Sequence, residues 1–270
     1  MDTLININYT EPILYLAIHN GHILRNPLKK TIGLSPLQRK VEEDPFTELF
    51  LSDKKNKIIQ SASRFEYDLN RKKDFAVYQK PEDCWGLPIY QDYTLSSKDI
   101  SFSKEKYDYF YHQISDIIEK FIEIHKKVFI WDVHSYNHHR KGNDAEFDSI
   151  EDNPDIILGT NHYKYMPDKW KPLISNIQNH LSSFSFKHKY INRADTDLSF
   201  DVRQNVKFPG GNLSQYINSK YGEDVCCTAI EFKKIWMNEW TQEIDLECYS
   251  ELKKAFDSCD KIITSFLYKL

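Results

Sequence analysis

The apolar positions of the chain fall into two alternating kinds of segment. Short continuous runs, "ILYLAI" at 13–18, "VFIWDV" at 128–133, "DIIL" at 155–158 and "VCCTAIEF" at 225–232, predict strands buried on both sides of a sheet. The stretch "KIIQSASRFEYDL" at 57–69 is β-prone and partly alternating, and predicts a further strand. Between these lie segments with helical spacing. In 103–127, Tyr107, Phe110, Ile114, Ile117, Ile118, Phe121 and Ile122 form one stripe, with Ser103 expected as N-cap and Glu105 in the first turn. Segments 167–184, 212–221 and 249–270 also read as helices. Strands and helices alternate without a repeat or a low-complexity linker. The pattern therefore predicts an α/β fold, a single domain over 1–270, with a mostly parallel or mixed central sheet flanked by helices. The polar segment 140–155 is expected as an exposed loop within it.

Composition narrows the function without choosing it. A 270-residue chain with 40% hydrophobic residues can bury a sizeable core, and a net charge of −4 offers no basic stripe for nucleic acid. No run approaches the ~20 apolar residues of a bilayer span, so no membrane partner is expected. The N-terminal stretch lacks a basic n-region and a small-residue cleavage site, and does not read as a signal peptide. Cys84, Cys226, Cys227, Cys248 and Cys259 form no CxxC pair and are expected as reduced thiols of a cytoplasmic protein, which argues against a thiolate zinc site.

Chemistry gathers at the strand ends. His19 follows the first buried run, His134 follows "VFIWDV", and Glu231 lies late in "VCCTAIEF". Ligands of open α/β sheets bind beyond the carboxyl ends of the strands, where these three residues are expected. A catalytic zinc typically takes three ligands from His, Asp or Glu and leaves a position open. His19 and His134 supply two; Glu42, Glu43 and Asp44 of "VEEDPFTELF", or His22, are the candidates for the third. Asp132 is expected to orient a ligand rather than to bind the ion itself. His134 and His138 would share a face only on a helix, and the strand-like run before them removes that spacing, so no second metal site is expected. In "SRFEYDLNRKK", Arg64, Asn70 and Arg71 could bind a carboxylate, although Arg64 and Asp68 could equally pair across a surface strand. The glycine turn "FPGGNLSQY" at 208–216 could present N–H groups to an anion, but reads first as a plain loop.

The stretches "AIHNGH", "VEEDPFTELF", "SRFEYDLNRKKDFAVY", "DVHSYNHHR", "DIILGT" and "AIEFKKIWMNE" together carry a resemblance. In that order, from the first strand to about Glu239, the sequence resembles the N-formylglutamate amidohydrolases, zinc enzymes related in fold to the zinc carboxypeptidases and aspartoacylases. The resemblance implies that His19 and His134 hold one zinc ion, His134 in a His-Ser setting with Ser135. It implies Asp44 as the acidic ligand that aligns best, with Glu43 close behind. Asn70 and Arg71 match a pair that holds the substrate carboxylate in related carboxypeptidases, and Glu231 matches a general base. The zinc carboxypeptidases take two ligands from a His-x-x-Glu loop, whereas His22 stands at that Glu position in this chain.

The implied reaction is metal-assisted hydrolysis of a linear amide. Zinc would lower the pKa of its water to about 7, and Glu231 would take the proton and pass it to the leaving amine. Arg71, with Arg64 or Arg140, would anchor the carboxylate of a small-molecule or short peptide substrate. N-formyl-L-glutamate is the expected substrate. The rival readings are a carboxypeptidase-like amidase of small peptides or other N-acyl amino acids, and a binding protein of the same fold without turnover.

Overall fold

The structure, a computed structural model, describes residues 2–90, 95–187 and 198–270. Its centre is a mixed sheet built from β1 (Thr3–Asn6), β2 (Ile13–Ala17), β3 (Lys57–Gln60), β4 (Val128–Tyr136), β5 (Ile156–Gly159), β6 (Val202–Gln204) and β7 (Val225–Lys233). The spatial order is β1-β3-β2-β4-β7-β5-β6. The β3-β2-β4-β7 core is parallel, β1 and β5 join it antiparallel, and β6 is parallel to β5. Every residue of β2, β4, β5 and β7 is buried, which is why these segments read as continuous apolar runs.

Helices cover both faces of this sheet. Residues one apart along a strand point to opposite sides, and the two cores follow that rule. Phe129, Trp131 and Val133 pack with Leu173 and Ile177 of α4 (Lys171–Ser182) and with Leu252, Phe256 and Ile263 of α6 (Leu246–Leu267). Val128 and Ile130 pack on the other side with Phe110, Ile114 and Ile118 of α3 (Ser97–His125) and with Leu213 and Ile217 of α5 (Asn212–Tyr221). Two short helices, α1 (Asn26–Thr31) and α2 (Pro36–Glu42), belong to the long β2–β3 connection. A α/β fold with a mixed central sheet flanked by helices, as the sequence predicts, is what the molecule has.

Several elements differ from their sequence expectation, each for a local reason. The segment 57–69 is a strand only to Gln60; beyond it Ser63, Glu66 and Asp68 are buried polar residues that need partners away from the sheet. The strand at 128 does not stop at Val133. β7 lies beside it in register from Val128↔Val225 to Tyr136↔Lys233, so the backbone pairing carries β4 through His134, Ser135 and Tyr136. α3 begins at Ser97, capped by Ser96, whose Oγ accepts the Asp99 N–H at 3.1 Å. Ser103 is therefore not a cap but a buried residue inside the helix, with its hydroxyl toward Glu66. The segment 167–184 is helical from Lys171, after a short 3₁₀ turn, and the last helix spans Leu246–Leu267.

Gly21 sets the path of the loop that leaves β2. A Cβ there would lie 2.3 Å from the Ser61 carbonyl carbon and 2.4 Å from the Ala62 carbonyl oxygen, both backbone atoms that cannot turn aside. Gly21→Ala should therefore destabilise the fold by about 1–3 kcal/mol, the range for overpacking. A shift of the urea midpoint to lower concentration checks this, and an unchanged midpoint would show that the loop yields freely.

Candidate metal centre and active site

His19 lies just past β2, His134 near the end of β4, and Glu231 directly opposite His134 in the β4–β7 ladder. The sheet thus brings three polar side chains to one edge, at the carboxyl ends of adjacent parallel strands. Asp44 comes from outside the sheet, in the turn after α2. Its backbone N–H donates to the His19 carbonyl oxygen at 3.0 Å, which ties the turn to the histidine loop. One ligating atom each from His19, Asp44 and His134 lies within 4.8 Å of the others, and all three residues are buried.

The ring nitrogens sort themselves by their neighbours. His19 Nε2 is 2.7 Å from Asp68 Oδ1, so that nitrogen donates and Nδ1 is left facing Asp44 Oδ2 at 3.5 Å. His134 repeats the arrangement, with Nε2 3.0 Å from Asp132 Oδ1 but out of hydrogen-bond alignment, and Nδ1 3.0 Å from Asp44 Oδ2. Two imidazole nitrogens therefore converge on one carboxylate oxygen. Lone pairs in that arrangement repel unless a positive charge lies between them. The titration of the group shows the same demand. Burial opposes a charged His134, yet Asp132, Asp44 and Glu231 outweigh it and hold the imidazolium well above the ordinary histidine range. Burial likewise opposes an ionised Asp44, but His134, within hydrogen-bond distance, and the nearby His19 hold its carboxyl far below the usual value. Both Asp132 oxygens are buried without a hydrogen-bond partner. The donor set, two imidazole nitrogens and one carboxylate, fits a divalent cation of the zinc type.

The acidic candidates face different ways. Glu43 is buried beside this centre but turned away from it: one oxygen accepts from Ser63 Oγ, and the other meets His22 Nδ1 at 2.5 Å. Arg39, which can only donate, faces His22 Nε2 at 3.0 Å, so the His22 proton sits on Nδ1. Both His22 nitrogens are thus occupied. Asp44 is the acid that faces the histidines, and Glu43 and His22 make a separate pair behind it.

A small cavity of about 130 Å³ opens onto the centre. His19, Asp44, His134 and Glu231 form its floor, and Arg64, Asn70, Ser135 and Arg140 stand in its wall. Ser135 Oγ is buried and without a partner. Arg71 is not in the wall; it lies behind Asp68, its Nε 3.9 Å from Asp68 Oδ2 and its guanidinium over the Tyr78 ring. The Glu231 carboxylate makes no hydrogen bond to protein among the described residues. Burial, with the negative charges of Asp44 and Asp132, pushes its carboxyl up to about 8 against the pull of His134 and Arg64. A cation in the cradle would draw that value back down.

His138, His139 and the glycine turn take structural roles. His138 is buried and stacks on Phe147, and His139 Nε2 meets the Ala145 carbonyl at 2.5 Å. The first N–H groups of α5 are taken by Asn70, whose carbonyl oxygen accepts from Asn212 and whose Oδ1 accepts from Leu213. A Cβ on Gly211 would fall 2.2 Å from Asn70 Oδ1, so the turn is glycine to admit Asn70. All five cysteines are buried free thiols, and among the described residues no helix is long and apolar enough to cross a membrane.

Sequence reasoning gave Asp68 only as a surface pairing partner of Arg64. The pair exists at 2.8 Å, but it is buried, and Asp68 also receives the Tyr78 hydroxyl and His19 Nε2. Its place between the apolar Tyr67 and Leu69 was the available signal. Trp85, exposed at the cavity mouth with φ 55°, was also missed; its ring lies 4.8 Å from the Arg64 guanidinium.

The N-formylglutamate amidohydrolase family model matches residues 11–236. Among solved structures, the fold is similar to an N-formylglutamate amidohydrolase from Ralstonia eutropha JMP134, with a TM-score of 0.76 at 14% identity, covering 99% of this chain and 98% of that one. It is also similar to a gene product of Agrobacterium tumefaciens, with a TM-score of 0.61 at 17% identity and 95% of each chain covered. No protein with a curated description matches the sequence.

Asp68 holds His19, Arg64 and Tyr78 at once, so its removal strands an imidazole N–H and a buried guanidinium. Asp68→Ala should cost about 3–5 kcal/mol, the scale for breaking a buried ion pair from one side. Urea denaturation checks it, and a loss below 1 kcal/mol would make the network dispensable.

Proposed function

The chain belongs to the N-formylglutamate amidohydrolase family, and on that footing we propose that it hydrolyses the amide bond of an N-acyl acidic amino acid. N-formyl-L-glutamate is the substrate we favour, giving formate and L-glutamate, and residues 1–270 form one amidohydrolase domain. The observation that carries the reading is the convergence of His19 Nδ1 and His134 Nδ1 on Asp44, with Glu231 beside them at the cavity floor.

In this reading His19, Asp44 and His134 hold one zinc ion. Such an ion supplies Lewis acidity toward the amide carbonyl and acidifies water near neutral pH. The chain's own residues do the rest. Asp68 holds the His19 imidazole by a hydrogen bond and Asp132 lies 3.0 Å from His134 Nε2, so that both Nδ1 atoms face inward. Glu231, its carboxylate free of protein hydrogen bonds, takes a proton from the attacking water and delivers it to the departing amine as the C–N bond breaks. Arg140 and Arg64 offer guanidinium N–H groups in the wall to a carboxylate, with Asn70 and Ser135 as further donors. Arg71, outside the wall beside Asp68, is the second candidate anchor for that carboxylate. The cavity, about 130 Å³, is well below the ~300–1,000 Å³ of drug-sized pockets, which favours a small N-acyl amino acid over a peptide.

Amine release from N-formyl-L-glutamate, followed in zinc-replete and chelator-stripped protein, tests the proposal. Turnover should vanish on stripping and return with zinc; protein that holds zinc yet ignores a panel of N-acyl amino acids would shift the substrate to a peptide. Glu231→Gln should keep the ion and lose about 10²–10⁴ of kcat, the contribution of a general base, and wild-type activity in that variant would remove Glu231 from the reaction. Arg140→Ala should raise KM for carboxylate-bearing substrates with little change in kcat. If Arg71→Ala raises KM and Arg140→Ala does not, Arg71 is the anchor.

A further inference from the structure

Lys234 is a buried lysine in the cavity wall for which the reaction above has no use. Its ammonium has three N–H donors, and all three are spent inside the protein. They go to the Val41 carbonyl at 3.0 Å, the Glu43 carbonyl at 2.9 Å and Asn137 Oδ1 at 2.8 Å. Lys234 forms no ion pair among the described residues. With no donor left, it cannot bind substrate or stabilise developing charge directly.

The three acceptors belong to segments that matter. Glu43 is the residue before Asp44, and Val41 and Glu43 carry carbonyls at the C-terminal end of α2, where an ammonium is well placed. Asn137 follows the end of β4, the strand of His134, and its Nδ2 donates to the same Val41 carbonyl at 2.7 Å. Lys234 itself follows the end of β7, the strand of Glu231. One ammonium therefore joins the turn that carries Asp44 to the ends of the strands that carry His134 and Glu231. The sheet fixes His134 against Glu231 by backbone pairing. Asp44 has no such ladder; apart from its backbone bond to the His19 carbonyl, its turn is held by side chains.

We infer that Lys234 is a positioning residue that sets how tightly the His19–Asp44–His134 cradle holds its ion, by locking the Asp44 turn to the ends of β4 and β7. The inference rests on the metal centre proposed above. Lys234→Met keeps the aliphatic stem and removes the ammonium. The Val41 carbonyl keeps Asn137, while the Glu43 carbonyl and Asn137 Oδ1 lose the bonds they made to Lys234. The Asp44 turn then loses its tie to β7.

The test is zinc affinity by competition with a chelating dye, in wild type, Lys234→Met and Lys234→Gln. The absorption spectrum of the cobalt-loaded proteins and the melting temperature of the ion-free proteins are recorded alongside. Lys234→Met should bind zinc about 10–100-fold more weakly, the usual cost of losing an outer support of a ligand, with a changed cobalt spectrum. Lys234→Gln, which keeps two N–H donors, should lie between. A purely structural lysine would lower the melting temperature and leave affinity and spectrum alone, and that result overturns the inference. If Lys234→Met does not fold, Lys234→Gln decides on the same two readouts. Wild type that binds no zinc would overturn the metal centre and this inference together, whereas equal binding by all three proteins would overturn only the role of Lys234.

Discussion

The excess of buried carboxylate at the carboxyl edge of the sheet is the constraint on which the site depends. Asp44, Asp68, Asp132 and Glu231 are all buried there, and the nearby guanidinium of Arg64 pairs with Asp68. Removing an ion from water costs several kcal/mol even after relaxation, so such a cluster is a poor way to stabilise a fold. Nearby positive charge has to offset it. His134 responds by holding its proton, and the convergence of two imidazole nitrogens on Asp44 marks where a cation would do the same work more completely. A cluster kept at this cost points to chemistry rather than to stability.

The fold supplies the parts of this site by two different routes. β2, β4 and β7 are neighbours in the parallel core, so His19, His134 and Glu231 arrive together as a consequence of strand order and register. Asp44 arrives by separate ties instead, one from the backbone and the rest from side chains. Its turn is held by the His19 carbonyl, by Lys234, and by the Glu43 contacts to Ser63 and His22. Gly21 lets the histidine loop lie against the backbone of Ser61 and Ala62, so the acid can come from the later turn while His22 faces Glu43.

This division explains what the sequence could reveal. Buried strands appear as apolar runs, and a polar residue at the end of such a run stands out, so His19, His134 and Glu231 were legible one by one. The helical stripe of α3 was legible too, although its start was not: Ser96 and Ser103 are equally good caps by type, and burial of Ser103 under Glu66 is a tertiary fact. Asp68 and Lys234 were not legible as parts of a site, because their roles are defined by partners far away in the chain. Asp68 meets His19, and Lys234 meets Val41 and Glu43, through contacts that no local period encodes. The choice between Glu43 and Asp44 fell in the same class. Adjacent residues in a turn point in different directions, and which one faces the histidines depends on where His22 and Ser63 stand.

The resemblance to solved structures at 14% identity shows how little of the backbone plan depends on particular core residues. Apolar side chains of suitable volume can be exchanged widely while pattern and total volume are kept. The proposed recognition of a carboxylate makes a different demand on the cavity wall. A chain of net charge −4 does not attract an acidic ligand from a distance, and beyond a Debye length of roughly 8 Å the field of exposed charges is screened. A carboxylate substrate of the kind proposed would then be recognised at contact range, by guanidinium groups in the wall that are already oriented. Arg64 is so oriented, held by Asp68 and by the Glu42 carbonyl, and Arg140 is held by the Glu42 side chain. Pre-orientation lowers the entropy lost on binding, so in the proposed reading specificity would rest on a few anchored side chains set on a permissive frame.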